Sequence, residues 1–269
     1  MIQLENILVP FVDSPSSIGA LKTAAVMSKI HLAKLFVLHV NTDRTPKNLL
    51  DTIQHICTQE QVKFTFMERS GNISRAINKA EKEIDADMII MGAYGVTGWQ
   101  QFWVGSNAFK VISTSECPVI TLQNDCNGFN GFNKILLPLD DSEETRQKVN
   151  WALKIAKGFD ADVLVLKTSK SNRDETKNRL GVYAQQVEAL LNREGIRSET
   201  IESYGHNVSE NCIKTGQLHQ CDLISIMTET ENSNSFFMGT YAQQLVSTSP
   251  IPVMSIHAKN VGKQTTTGY

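Results

Sequence analysis

Apolar residues in this chain fall into short runs separated by longer mixed segments, and that spacing predicts alternating strands and helices. In the first half the runs cover 6–12, 34–40, 62–67, 87–92 and 117–122; in the second they cover 134–140, 161–167, 196–202, 221–227 and 251–256. Leu35-Phe36-Val37-Leu38 and Val163-Leu164-Val165-Leu166 are almost unbroken, as expected of parallel strands buried on both faces. Helices are predicted between the runs, over 15–31 and 142–157 among others, with Ser14 and Asp141 placed to cap them. Such alternation implies right-handed crossovers and a doubly wound α/β sheet.

The pattern occurs twice. Ile7-Leu8-Val9-Pro10 returns as Ile135-Leu136-Leu137-Pro138, Asn72-Ile73-Ser74 as Asn207-Val208-Ser209, Asp87 as Asp222, Gly105-Ser106 as Gly239-Thr240, and Ser113-Thr114-Ser115 as Ser247-Thr248-Ser249. The offsets are 128, 135 and 134 and the order is kept, which means duplication. Two tandem domains are expected, over 1–125 and 133–258, joined by a polar, glycine-bearing linker within 123–132 and followed by a polar tail over 259–269. A length of 269 residues and 41% apolar content allow a core in each half.

Charge and cysteine usage narrow the partners. The formal net charge is −2, with no cluster of Lys and Arg to hold a phosphate backbone, so neither nucleic acid nor an anionic membrane surface is expected. No basic-then-apolar leader precedes the first strand, and no apolar run reaches the roughly 18 residues of a membrane span. Five cysteines without a C-x-x-C pair read as reduced thiols in a cytoplasmic protein.

The segment with most chemical content is Met91-Gly92-Ala93-Tyr94-Gly95, then nine residues, then Gly105-Ser106-Asn107. Gly92 and Gly95 follow a strand, where missing side chains let backbone N–H groups approach an anion. Gly105-Ser106-Asn107 opens the next helix, whose unpaired N–H groups favour phosphate. Open parallel sheets bind ligands at this edge, where strand order reverses.

A G-x2-G-x9-G-S pattern in this setting resembles the universal stress protein family, and the resemblance extends to the I-L-V-P strand, the stretch from Asp87 to Gly92 and the Pro118-Val119 strand. It implies two Rossmann-like (adenine nucleotide alpha hydrolase-like) domains. Each would be an open five-stranded parallel sheet with helices on both faces, paired through their last strands as an internal pseudo-dimer. It further implies ATP or another adenine nucleotide at Gly92, Gly95, Gly105, Ser106 and Asn107, with Val40 and Met91 lining the adenine and nucleoside. The family acid that contacts base or ribose falls on Val12, and the nearby Asp13 is one residue out of phase, so it serves only if the strand has ended or bulged. Val there weakens binding by roughly 1–3 kcal/mol. In the second half Asp140 holds the acid position, but Met227 and Thr230 replace the first two glycines, and Glu229 and Glu231 repel phosphate. No triphosphate is expected there.

The plainest function is therefore a stress-response module that senses adenine nucleotide in its first domain and engages a protein partner or further copies of itself; whether Mg²⁺ accompanies the ligand is open. A structural pseudo-dimer without nucleotide and a slow nucleotide hydrolase are the alternatives. The second lacks a G-x-x-x-x-G-K-[ST] loop and an evident base. Trp99, Phe102 and Trp103 are expected to pack on the adjacent half, to cover the ligand or to meet a partner. His206, Cys212, His219 and Cys221 have no metal-ligand spacing, and His39 reads as structural. For the Asp140-Asp141 pair, capping by Asp141 is the plainer account than a cation site.

Overall fold

The computed structural model describes residues 4–41, 48–93, 106–123, 129–140, 142, 144–228 and 239–257. The first half runs β1 (Asn6–Pro10), α1 (Pro15–His31), β2 (Lys34–Asn41), α2 (Leu49–Gln59), β3 (Phe64–Ser70), α3 (Ile73–Glu83), β4 (Met88–Gly92), α4 (Ser106–Thr114) and β5 (Val119–Leu122). The second runs β6 (Lys134–Leu139), α5 (Val149–Phe159), β7 (Asp162–Ser169), α6 (Asp174–Arg193), β8 (Ser198–Tyr204), α7 (Val208–Leu218), β9 (Leu223–Met227), α8 (Thr240–Thr248) and β10 (Val253–Ile256).

The strands make one sheet in the order β3-β2-β1-β4-β5-β10-β9-β6-β7-β8. Pairing is parallel within each half. The halves meet where β5 and β10 run antiparallel, with Met254 opposite Ile120. Side chains alternate between two apolar layers, as strand geometry requires. Ile7, Val9, Ile135 and Val163 face the layer under α1, α2, α5 and α6, while Leu8, Leu136 and Leu164 face the layer under α3, α4, α7 and α8.

The repeated polar residues hold this frame. Asp87 Oδ2 accepts from the Glu5 and Asn6 amides at 2.8 and 2.9 Å, and Asp222 accepts from the Asn133 and Lys134 amides at 2.8 and 3.1 Å, each tying the start of one strand to its neighbour. Asn72 and Asn207 cap α3 and α7 through their side-chain oxygens. Gln123 and His257 follow β5 and β10 and reach across the seam: Gln123 Nε2 donates to the Val246 carbonyl at 3.1 Å, and His257 Nε2 donates to the Ile112 carbonyl. The Thr228 hydroxyl bonds His257 Nδ1 at 2.9 Å, which fixes the ring.

Two expectations need correction. The predicted helix over 142–157 begins only at Val149, after a 3₁₀ turn at Glu144–Arg146, and its cap residue is Lys148, so Asp141 does not cap it. The linker is not wholly polar loop: Phe132 is buried, and Phe129, Phe132 and Phe159 stack edge to face with centroids 4.9 to 6.5 Å apart. His31 at the end of α1 joins them, 5.9 Å from Phe159, so this cluster welds α1 to α5 across the halves.

Candidate functional site

In the first half the strand order reverses between β1 and β4, and the chain leaves both strands at the same edge into α1 and toward α4. β1 lies between β2 and β4, with Pro10 opposite Leu38 and Leu8 opposite Ile89. That register brings Val12, Val40, Met91 and Gly92 to adjacent strand ends. Val40 and Met91 are each 6% exposed and form an apolar floor, and Val12 is half-buried beside it.

β1 ends at Pro10, three residues before Asp13, so the strand's two-residue phase no longer governs that side chain. The Ser14 amide bonds the Val12 carbonyl at 2.8 Å and closes a tight bend on Asp13, which is exposed. Two bonds pin the bend: the Phe11 amide donates to the Leu38 carbonyl at 2.8 Å, and His39 Nδ1 lies 3.0 Å from the Phe11 carbonyl. Buried His39 is thus a structural strut.

Gly92 has a steric reason for its identity. A Cβ there would stand 2.5 Å from Ser16 Oγ and 2.8 Å from both the Ser16 carbonyl carbon and the Ser17 nitrogen. The first turn of α1 lies directly on the end of β4, with Ser14 capping the Ser17 amide at 3.3 Å. Ser14, Ser16 and Ser17, all buried, pack at this strand-end edge, and the glycine spacing did not point to them; their clustering at a predicted helix start was the available signal. Ser106 opens α4 and Asn107 is half-buried in its first turn, where helix amides lack intrahelical partners. Gly95, Gly105, Trp99, Phe102 and Trp103 lie outside the described residues, as do Asp141, Glu229, Thr230, Glu231 and the 259–269 tail.

The equivalent edge of the second half has different chemistry. The duplication offsets set Asp140 against Val12, Lys148 against Ala20, Cys212 against Ile77 and Tyr241 against Asn107. Lys148 is fully buried, and its Nζ donates to Thr145 Oγ1 at 3.0 Å. Burial pushes its pKa below the usual lysine range, and the Asp140 carboxylate opposes that shift. Asp140 Oδ1 also accepts from the Ser142 amide and hydroxyl at 3.0 and 2.6 Å, and the Asp140 amide donates to Thr145 Oγ1 at 3.1 Å. The Tyr241 hydroxyl sits 3.6 Å from Cys212 Sγ; burial raises the phenol well above its ordinary value and the thiol to about 12. Asp140, the acid carried over from the resemblance, is therefore engaged within its own turn by Ser142 and Thr145. No glycine or charge motif advertised this cluster, whose members come from three separate segments.

Among the described residues no group of three or more His, Cys, Asp or Glu side chains is placed to hold a metal ion. Also among them, no helix is long and apolar enough to cross a membrane.

Comparison with known proteins gives consistent findings. A sequence model of the universal stress protein family matches residues 47–123 and 131–257. A universal stress protein of Synechocystis sp. is 27% identical over 137 residues, which is 45% of this chain and 87% of that one. The crystal structure of a universal stress protein from Archaeoglobus fulgidus superposes with a TM-score of 0.72 at 16% identity, covering 96% of this chain and 98% of that one. A Pseudomonas aeruginosa protein of unknown function superposes with a TM-score of 0.74 at 16% identity, covering 95% of this chain and 93% of that one. At these identities the solved structures establish the fold.

Proposed function

This chain belongs to the universal stress protein family, and from that premise we propose that its first domain binds ATP or a related adenine nucleotide and acts as the sensing half of a stress-response module. One observation carries the reading: the strand-order reversal between β1 and β4 coincides with the apolar floor of Val12, Val40 and Met91 and with the first turn of α4. The base lies on that floor. The phosphates run toward Gly92, Gly95 and the Gly105-Ser106-Asn107 helix start, whose amides supply donors without a lysine.

Only one site per chain is expected. In the second domain, Lys148 and Tyr241 occupy the places of Ala20 and Asn107, and Asp140 is engaged internally. Four buried free thiols, Cys57, Cys117, Cys212 and Cys221, support a cytoplasmic setting.

Calorimetric titration of the full chain with ATP, ADP and AMP, with and without Mg²⁺, tests this. One nucleotide per chain is expected, and Gly105→Val abolishes the heat. Val12→Asp, which restores the family acid, strengthens binding by about tenfold, the scale of one hydrogen bond to a charged group. Absence of heat overturns the reading and leaves a pseudo-dimer that binds proteins alone, whereas binding that survives Gly105→Val overturns the site, since the nucleotide then sits elsewhere. ATP turnover equal to buffer in the binding-competent protein is the outcome expected of a sensor.

A further inference from the structure

His31 ends α1 in the first half and lies against α5 of the second, so it crosses the seam without belonging to the sheet. Its ring is seated on Gly158. A Cβ there would stand 2.6 Å from His31 Nε2, 3.2 Å from Nδ1 and closer still to Cε1, so any side chain at 158 would take the ring's place. Beyond Gly158 the ring meets Phe159 edge to face, with 5.9 Å between centroids. Phe159 is in turn enclosed by the linker, through Phe129, Phe132 and Gly131. Gly131 has a φ of 134°, and a Cβ there would stand 2.5 Å from Phe159 Cδ1, so only glycine fits.

This seat suits imidazole and disfavours imidazolium. His31 Nε2 is buried and has no hydrogen-bond partner among the described residues. As a neutral lone pair it can rest on the glycine; as a charged N–H it would be a buried donor without an acceptor. The surrounding charges act in the same sense. Burial first, and then the ammonium of Lys154 one turn before Gly158 on α5, hold His31 down at about 4. Also on α5, Lys157 is paired with Glu194, and Asp160 just beyond it with Arg197 at 3.6 Å. Linker residues 129–132 carry no charge, and Lys29 on α1 itself is exposed. Among these described groups no carboxylate stands unpaired.

The duplication shows that the fold does not dictate the contact. The offset of 128 sets His31 against Phe159 and Gly158 against Ile30, so an imidazole with a glycine seat occurs in one direction across the seam and not in the other. On the opposite face of the sheet the halves are held by Gln123 and His257, which reach α8 and α4, and within the sheet by β5 and β10. Loss of the His31 contact therefore opens one face and leaves the sheet joined.

We propose that His31 and Gly158 form a proton-operated latch between the two halves: the neutral ring rests on α5 and keeps this face of the seam closed, and protonation ejects it, parts α1 from α5 and uncovers Phe129 and Phe159.

Nuclear magnetic resonance of the histidine and phenylalanine rings in the full chain tests the latch. In the wild type one imidazole, identified by its loss in His31→Phe, is expected to titrate well below the ordinary 6.5, and the Phe159 ring signals to move with the same midpoint. His31→Phe keeps an aromatic ring that takes no proton, so Phe159 no longer responds between pH 7 and pH 4. Gly158→Ala carries the test at pH 7, where acid unfolding plays no part. Its methyl evicts the ring, His31 then titrates near 6.5, and anilinonaphthalene sulfonate, a dye for exposed apolar surface, binds as it binds the acidified wild type. Circular dichroism keeps its native form throughout. A wild-type His31 that titrates near 6.5 overturns the proposal, as do Phe159 signals that ignore that titration. An acid response that persists in His31→Phe, or an unaltered His31 midpoint in Gly158→Ala, overturns it equally.

Discussion

Replacing Gly92 by alanine sets a methyl group where the first turn of α1 already lies. The three nearest atoms stand at 2.5, 2.8 and 2.8 Å, and the latter two are backbone atoms of Ser16 and Ser17. A side chain can rotate away, but these two cannot. Moving them from 2.8 Å to an ordinary contact at 3.4 Å requires α1 to retreat by about 0.6 Å from β4. Gly92 has no positive φ, so the cost is steric and not conformational. Overpacking of this kind costs about 1–3 kcal/mol. Urea unfolding followed by circular dichroism should show the midpoint falling by about 0.5–1 M at an unchanged slope. Adding Ser16→Gly removes the Oγ clash and leaves both backbone clashes, so it recovers less than half of the loss. The same retreat moves the capped start of α1 away from the strand ends, and ATP affinity should fall with stability. An unchanged midpoint in Gly92→Ala would refute the reasoning, as would full recovery by Ser16→Gly.

The buried lysine predicts an asymmetry between two variants. Thr145→Val removes the hydroxyl that accepts from Lys148 Nζ and from the Asp140 amide and costs about 1–3 kcal/mol in urea unfolding, whereas Lys148→Met, which removes the buried charge itself, is near neutral. Acid should loosen the seam through His31, whose pKa is lowered to about 4, first by burial and then by Lys154. Because that folded-state value lies below the unfolded value of 6.5, the stability it contributes is complete above about pH 6.5 and is lost as pH falls toward 4. Thermal melts between pH 7 and pH 4 should show a shallower acid decline in His31→Gln than in the wild type, once both are referred to pH 7.

Periodicity and self-similarity made the α/β class and the duplication legible, because both depend on local pattern. What the repeated residues do was less legible. Asp87 and Asp222 bind strand amides, and Asn72 and Asn207 cap helices, so much of the repeated motif set maintains the frame. Gly92, read from spacing as an anion-approach residue, is required by the contact with Ser16 and Ser17, a tertiary fact that spacing does not contain. The start predicted at 142 fails for a related reason. The chain there forms a short 3₁₀ turn that directs Thr145 and Lys148 inward, and the groups near that lysine include Cys212, from a distant segment. Phe132 was hidden by composition, since two aromatics, Phe129 and Phe132, among polar and glycine neighbours are too few to set a period.

The antiparallel junction of β5 and β10 has a consequence for how this molecule can diverge. Were the two halves separate and identical chains, a two-fold axis at that junction would oblige every substitution to appear twice, once on each side. Covalent fusion lifts that obligation, and holds the halves together at an effective concentration that dilution cannot lower. Each position and its duplicate can then drift apart at a fixed distance across a permanent seam. Gln123 and His257 keep one task with different chemistry, whereas Ala20 and Lys148 have parted altogether. A lysine buried in one half, where the other keeps an alanine, is an arrangement open to a fused pair and closed to a symmetric one.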